Sequence, residues 1–342
     1  MIEQVESKEL YKKFFAKEKL CFLQSWEWGE VKKPNWKPMR LLANQIPIQI
    51  FIRKIPVINQ SFGYIPRLLD KKNFTPEILK KLINFFKYEI KLSHLIIEPN
   101  LTKADNFEDL NSILNNLRFK KTGRTIQPNY TNIIDLTQSY EEIFANFRST
   151  YRRNIRKAKK LGCKSAIFEK GNEPLSRFFR IMNAIMQRTK YVMHGKKYFE
   201  KVWNELSKSN QAKIYIISRK KEDLGALFVV FDNKGAYELY GGINEAGRRY
   251  RAGFLLRDVS IKDSKAMSKE LYDQWGVAAF SEEGYSEKSE LVGVSRFKAG
   301  FGGQDIEYFP QYIYVNHKPG YFVYRLGVFF NKMKIKFSKI IR

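Results

Sequence analysis

Basic side chains are concentrated in residues 147–162, which read FRSTYRRNIRKAKKLG and contain no Asp or Glu. Lys and Arg are the side chains that hold phosphate groups, so this segment is a candidate surface for binding a polyanion such as tRNA. A charged face that contacts only water is the alternative. The candidate contacts are Arg148, Arg152, Arg153, Arg156 and Lys157.

The charge of the whole chain also favours an anionic partner. Its 342 residues carry a formal net charge of +27, which suits tRNA, an anionic membrane surface or a phosphate-bearing small molecule. A genome-wide drift toward Lys is the alternative explanation. Hydrophobic residues make up 44% of the chain, and the length is sufficient for two domains with packed cores.

Several kinds of chemistry are not expected. The only histidines, His94, His194 and His317, lack neighbours at ligand spacing, so the sequence predicts no metal site. Two cysteines, Cys21 and Cys163, form no disulfide framework and fit a reducing compartment. Because no apolar run reaches membrane-spanning length and no signal-peptide core is evident, we expect a cytoplasmic protein.

The basic segment requires a helix to position it. Apolar residues recur every three or four positions from 139 to 162, which predicts one long amphipathic helix with a basic outer face. Around it, patterns typical of strands and helices alternate, such as a strand at 46–55 and a helix at 75–90. The order helix, meander, helix, strand occurs twice, which predicts an α+β chain with two similar halves.

Six segments together resemble the FemABX family, the aminoacyltransferases that build peptidoglycan cross-bridges. The resemblance implies two tandem GNAT-like (acyl-CoA N-acyltransferase-like) domains without a coiled-coil arm. It implies a first, precursor-binding domain of residues 1–140 plus 305–342, and a second, tRNA-facing domain of residues 141–304. The segments are QSWEWGEVKKPNW (24–36), YIPR (64–67), YRRNIRKAKKLG (151–162), YGGINE (240–245), LYDQWGV (271–277) and RFKAGFGG (296–303).

The resemblance also implies a reaction. An amino acid would pass from the ester of an aminoacyl-tRNA to the stem-peptide amine of a UDP-linked or lipid-linked muramyl peptide precursor. The enzyme would be a monomer without a cofactor. Residues 244–256 lack the glycine spacing of a CoA pyrophosphate cradle, which favours a tRNA donor. The alternatives are a GNAT-type N-acyltransferase acting on a cell-surface polysaccharide and a non-catalytic RNA- or membrane-binding protein.

Residues in the matching segments acquire roles from the resemblance. Lys298 would stabilise charge at the reacting ester, with Phe297 beside it. Glu98 would accept a proton or bind the amine, and Gln311 stands where relatives often have a Glu that could act as a base. Surface cations and core aromatics are the alternative explanations for these residue types. The substrate-binding candidates are Lys32 (or the adjacent Lys33), Trp36, Arg67, Arg188 and Tyr240.

The last segment, residues 321–342, combines an apolar stripe with Lys and Arg. This pattern is typical of a helix that lies on an anionic membrane, with its apolar residues toward the lipid. A helix docked on the protein core is the alternative. The stripe comprises Phe322, Leu326, Phe329, Phe330, Met333, Phe337, Ile340 and Ile341.

Overall fold

The computed structural model describes residues 2–33, 35–105, 110–123, 125–189 and 194–340, with backbone alone at 188–189, 331–332 and 334–340. The strands are β1 (Ile2–Gln4), β2 (Lys37–Ala43), β3 (Ile46–Ile55), β4 (Gln60–Leu68), β5 (His94–Pro99), β6 (Phe119–Lys121), β7 (Tyr130–Asp135), β8 (Cys163–Phe168), β9 (Ala212–Arg219), β10 (Glu222–Phe231), β11 (Gly235–Ile243), β12 (Leu271–Gly276), β13 (Phe280–Ser281), β14 (Gly284–Tyr285), β15 (Gln304–Glu307) and β16 (Tyr312–Val315). The α-helices are α1 (Lys8–Glu18), α2 (Trp26–Lys32), α3 (Pro76–Asn84), α4 (Leu110–Asn116), α5 (Tyr140–Asn146), α6 (Ser149–Lys160), α7 (Glu173–Thr189), α8 (Lys196–Ser207), α9 (Glu245–Arg249), α10 (Ala252–Ala266), α11 (Val292–Ala299) and α12 (Lys318–Ile340).

The chain folds into two compact units. Unit 1 comprises Met1–Glu18, Leu23–Gln127 and Tyr308–Arg342, and unit 2 comprises Lys19–Phe22 and Pro128–Glu307. Strand β7 belongs to the sheet of unit 2, so the chain enters that unit before β7 rather than at residue 140.

Unit 1 contains a seven-stranded sheet in the order β1-β2-β3-β4-β5-β16-β6. Among its described strands, only β4 and β5 pair in parallel, because helix α3 crosses between them. The predicted helix at 75–90 is confirmed as α3, which Thr75 caps by accepting the N–H of Ile78, and a π-helical turn, Phe85–Glu89. Its apolar side packs on the sheet.

Unit 2 repeats this arrangement with the order β15-β7-β12-β11-β10-β9-β8. The antiparallel meander β9-β10-β11 leads through α10 to β12, which pairs in parallel with β11. The predicted recurrence of helix, meander, helix and strand is therefore present in both units. Helices α6 and α10 cover the sheet, and Ile155, Ala158 and Leu256 belong to its core.

The prediction of a single helix from 139 to 162 is wrong. Helix α5 ends at Asn146, Phe147 and Arg148 are extended with ψ of 141° and 140°, and α6 begins at Ser149. Tertiary contacts explain the break: Phe147 packs edge-on against Phe301, with ring centroids 5.1 Å apart. The Arg148 N–H donates to the Gly300 carbonyl at 2.9 Å, which replaces a bond within a continuous helix.

Helix α12 is attached to unit 1 through His94. The imidazole stacks on Phe62 with centroids 5.0 Å apart, and it contacts Tyr324 and Tyr321 of α12 at 4.4 and 5.1 Å. Burial lowers the pKa of His94 to about 4, because the aromatic surroundings disfavour an imidazolium.

This attachment should weaken in acid. The folded pKa of His94 is below its unfolded value of 6.5, so the stability from the neutral imidazole is complete above pH 6.5 and declines toward pH 4. Between pH 7 and 5 the wild-type chain should lose about 2 kcal/mol of unfolding free energy relative to His94→Phe. Denaturant titrations of both proteins measure this difference. If the two proteins differ by the same unfolding free energy at both pH values, the lowered pKa of His94 is contradicted. The control is His194→Gln, which changes an exposed histidine.

Candidate active site

Lys298 lies in α11 and is the best-defined cation of unit 2. Its side chain is buried, with 6% exposure, and its Nζ donates to the Gly276 carbonyl at 2.8 Å and, at 3.4 Å, to that of Trp275. Strand β12 shifts register between Asp273 and Gly276, and Trp275 has a φ of 61°. The irregular strand end therefore presents two carbonyl groups that bind the ammonium.

The charge of Lys298 is tuned by its surroundings. Burial lowers the pKa of Lys298 to about 8, and the positive charge of Arg257 contributes to the lowering, while Glu238 and Asp273 oppose it. Arg257 donates to Glu238 at 2.5 Å, and both side chains are buried. The group can thus act as a cation near neutral pH and give up its proton in mild base.

Close packing explains the glycines that follow Lys298. A Cβ at Gly300 would lie 2.1 Å from the Tyr151 ring, and Gly302 has a φ of 77° with Asn146 backbone atoms 2.7 Å from its missing Cβ. Larger residues would displace the segment after α11. The segment RFKAGFGG therefore holds Lys298 by backbone proximity to α5 and α6.

The other two candidates of unit 2 are part of aromatic groups. Phe297 is half-buried, its ring lies 5.1 Å from Phe254, and the Arg257 guanidinium lies 4.7 Å from its centroid. Tyr240, also half-buried, packs edge-on against Phe199 at 4.7 Å. Phe297 is thus connected to Lys298 through Arg257, and Tyr240 belongs to a separate aromatic group.

Glu98 of unit 1 is buried and fully engaged. It accepts the Tyr64 hydroxyl at 2.5 Å and the backbone N–H groups of Ile126 and Gln127 at 2.5 and 3.1 Å. Burial raises the pKa of Glu98, although the hydrogen bond from Tyr64 and the positive charge of Arg67 partly oppose the increase. The contacts indicate that Glu98 orients Tyr64.

Trp36 contacts Tyr64, the partner of this carboxylate, and Arg67 acts on the carboxylate through its positive charge. The Trp36 ring lies 6.1 Å from Tyr64, so the structure brings Trp36, Tyr64 and Glu98 together. Arg67 is buried, has a φ of 45° at a register shift of β4, and lies 3.5 Å from the Tyr308 ring centroid. Burial and stacking on Tyr308 thus position this guanidinium, a group that can bind an anion through several N–H donors.

The remaining candidates are more dispersed. Lys32 is half-buried at the end of α2, with Nζ 4.6 Å from the Trp28 ring centroid, and Lys33 pairs with Glu30 at 2.8 Å. Arg188 is in the last turn of α7, and its side chain lies outside the described part of the structure.

Gln311 has a structural partner in unit 1. Its side-chain amide donates to the Thr122 hydroxyl at 2.9 Å, and its own carbonyl accepts the Thr122 N–H at 2.9 Å. Both contacts join the residue just before β16 to the residue just after β6.

The basic segment divides into exposed and engaged cations. Arg152 is half-buried and donates to the Ala145 carbonyl at 2.5 Å and to that of Phe147, which satisfies the end of α5. Lys159 pairs with Asp258 of α10 at 3.5 Å, a neutralising contact that the local sequence did not indicate. Among the five predicted tRNA contacts, the exposed members are Arg148, Arg153, Arg156 and Lys157.

Comparison with known proteins identifies the relatives of this chain. The crystal structure of FemX matches with a TM-score of 0.82 at 19% identity, covering 93% of this chain and 98% of that one. A family model described as an acetyltransferase (GNAT) domain matches residues 145–279. The lipid II:glycine glycyltransferase of Staphylococcus haemolyticus (strain JCSC1435) is 25% identical over 211 residues, 57% of this chain and 50% of that protein. The chain is similar to proteins of the Fem family in sequence and in fold. The protein of the same name from Staphylococcus aureus is 25% identical over 213 residues, 57% of this chain and 49% of that protein.

The predicted fold of two tandem GNAT-like domains is confirmed. The chain spans about half the length of the curated relatives it matches. Among the described residues, no helical hairpin of coiled-coil length extends from unit 2. The described helices also include none that is both long enough and apolar enough to cross a membrane.

Three residues that contact or charge-couple to the candidates of their own unit were missed in the sequence. Tyr64 is in the quoted segment YIPR, from which only Arg67 was selected, although a tyrosine can both donate and accept. Glu238 lies two residues before Tyr240, so the adjacent motif YGGINE could have indicated it. No signal in the sequence indicated Arg257, because a single Arg in an ordinary helical pattern is typical of a surface residue.

Proposed function

We propose that this Fem-like protein transfers an amino acid from the ester of an aminoacyl-tRNA to the stem-peptide amine of a muramyl peptide precursor. The observation that carries the proposal is Lys298, a buried cation with a pKa of about 8 at the irregular end of β12. Relatives named lipid II:glycine glycyltransferase support a lipid-linked acceptor and a role in cross-bridge formation. The reaction would take place at the cytoplasmic side of the membrane.

The proposed step is an aminolysis. The amine nitrogen attacks the ester carbonyl carbon, the C–N bond forms, and the ester C–O bond breaks. The amine loses one proton and the released ribose oxygen gains one. Negative charge develops on the carbonyl and ribose oxygens, and the Lys298 ammonium stabilises it from a fixed position.

Proton transfer is assigned to the substrates themselves. The nitrogen and the leaving oxygen exchange one proton overall, so a relay between them needs no protein base. Glu98 already accepts three hydrogen bonds, which leaves it the role of orienting Tyr64. The assignment of the precursor to Lys32, Trp36, Arg67, Arg188 and Tyr240 stays a prediction.

An acyl-CoA donor is the competing proposal, because the matching family model is described as an acetyltransferase domain. GNAT enzymes hold the CoA pyrophosphate at a Gly-rich strand-to-helix junction. In unit 2 the corresponding junction contains the short helix α9, then Tyr250 and the left-handed Arg251 (φ 61°) before α10. The Arg219 guanidinium lies 4.4 Å from the Tyr250 ring centroid. These bulky side chains favour the tRNA donor.

The basic segment supplies the test of tRNA binding. Arg153→Ala/Arg156→Ala/Lys157→Ala removes three exposed cations, and the dissociation constant for tRNA should rise about tenfold or more at 0.1 M salt. The slope of log affinity against log salt should decrease by about 2, because fewer counterions are released. Filter binding over a salt series measures both quantities.

A control variant makes the same change in net charge elsewhere. Lys54→Ala/Lys80→Ala/Lys120→Ala removes three exposed cations of unit 1. This variant should bind tRNA within about twofold of the wild-type chain. Equal weakening by both triple variants would show that total charge, rather than the basic segment, attracts tRNA.

A further inference from the structure

Helix α12 exposes a row of large apolar side chains. Phe322 is 63% exposed, Phe329 is 56% exposed and Phe330 is 65% exposed, and they are joined by Leu326 at 40% and Met333 at 39%. At 3.6 residues per turn, these five positions fall within about 100° of the helix circumference. They form one continuous apolar face, which we call the α12 apolar face.

The other side of α12 is held by unit 1. Tyr321 and Tyr324 contact His94, and Tyr324 also packs against Phe62 with centroids 4.8 Å apart. On the same helical projection, these tyrosines lie roughly opposite the α12 apolar face. One face of the helix is therefore docked on unit 1, and the other face is exposed. The two alternatives from the sequence, a helix docked on the protein core and a helix lying on a membrane, thus each describe one side of α12.

The charge around α12 identifies the kind of partner. Residues 318–342 contain seven cationic residues and no Asp or Glu. Apolar aromatic residues within a purely basic segment match an anionic lipid surface, which accepts rings among its acyl chains and attracts cations to its headgroups. The seven are Lys318, Arg325, Lys332, Lys334, Lys336, Lys339 and Arg342.

We propose that the α12 apolar face inserts into the interface of an anionic bilayer. The helix lies in the plane of the membrane, with Phe329 and Phe330 among the acyl chains and the cations at the headgroups. This inference deepens the proposed function, because a lipid-linked precursor is carried by such a surface. It does not depend on the transfer reaction, since vesicles without precursor or tRNA provide the binding surface.

Vesicle flotation with the full chain tests the proposal. The probes are vesicles of phosphatidylcholine alone and of phosphatidylcholine with about 30% phosphatidylglycerol, because cations near an anionic surface strengthen binding. The wild-type chain should bind the anionic vesicles at least about tenfold more tightly. Phe329→Gln/Phe330→Gln should lose at least about tenfold in affinity, because glutamine preserves helix propensity but not the apolar surface.

The matched control is Val57→Gln/Tyr88→Gln, which removes two apolar side chains that are 99% and 60% exposed elsewhere in unit 1. It should bind vesicles like the wild-type chain. Phe322→Gln, a third position of the α12 apolar face, provides a second variant if the double variant loses helix content by circular dichroism. In that case Phe322→Gln alone should weaken vesicle binding by several-fold.

Several results would overturn the inference. One is wild-type protein that does not float with anionic vesicles, and another is undiminished binding by the double variant. A third is a wild-type dimer in light scattering that Phe329→Gln/Phe330→Gln dissociates without affecting vesicle binding, since the face would then contact a second copy. Flotation without any transfer activity would instead contradict only the proposed function.

Discussion

Lys298→Met should reduce the rate constant of aminoacyl transfer by about 100-fold or more. Methionine approximates the length of lysine but carries no charge, so it cannot stabilise the oxygens that become negative in the transition state. The lost interaction is a fixed cation in a buried environment, where charge stabilisation is stronger than in water. Single-turnover transfer at saturating donor and acceptor measures the effect.

A structural role of Lys298 must be separated from a catalytic one, because its ammonium also binds the Gly276 carbonyl. Lys298→Gln retains a hydrogen-bond donor without the charge and should be as inactive as Lys298→Met. Both variants should bind tRNA within about twofold of wild type. The exposed Lys288, changed to Met, should have no effect. Transfer by Lys298→Gln at more than about a tenth of the wild-type rate would contradict a catalytic role for the charge.

The pKa of about 8 adds a dependence on pH. Lys298 is an ammonium below this value and loses its charge above it. The contribution of Lys298 to the wild-type rate should therefore decline as the pH rises through about 8, whereas the rate of Lys298→Gln should show no decline there. Rates measured from pH 6 to 10 in both proteins report this difference.

Arg257→Met should lower the free energy of unfolding of the chain by about 3–5 kcal/mol. The guanidinium is 7% exposed and its partner, Glu238, is 6% exposed, so the variant leaves a carboxylate buried without its cation. Tyr272 donates to the other Glu238 oxygen at 3.2 Å and cannot neutralise the charge. Denaturant titration measures the loss.

Removing both charges should restore most of this stability. Arg257→Met/Glu238→Gln should unfold within about 1.5 kcal/mol of wild type, because the desolvation cost disappears together with the attraction. The exposed ion pair of Arg296 and Glu287 gives the control, and Arg296→Met should cost less than about 1 kcal/mol. A double variant as unstable as Arg257→Met would show that packing on Phe297 and Phe301, not charge pairing, dominates at Arg257.

Local patterns in the sequence were enough to predict most of the fold. Strand β3 and helix α3 follow from residue alternation and from the cap Thr75, which are properties of a few adjacent residues. The break between α5 and α6 could not be predicted in this way. It depends on Phe301 and Gly300, more than 150 positions away, which bind Phe147 and Arg148.

The sequence yielded candidate site residues where a motif contained them, and it did not reveal their partners from distant elements. Lys298 followed from RFKAGFGG, but its lowered pKa results from burial and from the charge of Arg257 on α10, which the carboxylates on β11 and β12 oppose. In the sequence, Arg152 and Lys159 appeared equivalent to their basic neighbours. In the structure, Arg152 donates to a carbonyl at the end of α5, and Lys159 pairs with Asp258. Helical periodicity identifies a face but not the residues that will oppose it.

We propose above that this chain forms an amide bond between an amino acid delivered as a tRNA ester and an amine on a muramyl peptide precursor. The most direct measurement is mass spectrometry of a lipid-linked precursor with a stem-peptide amine, after incubation with purified protein and mixed aminoacyl-tRNAs. We expect the precursor to gain the mass of an added amino-acid residue with the wild-type chain, and to gain none with Lys298→Met or after ribonuclease treatment of the donor. A precursor whose mass stays unchanged with wild-type protein would rule out the proposed transfer, and equal product with Lys298→Met would rule out a catalytic role for the Lys298 charge.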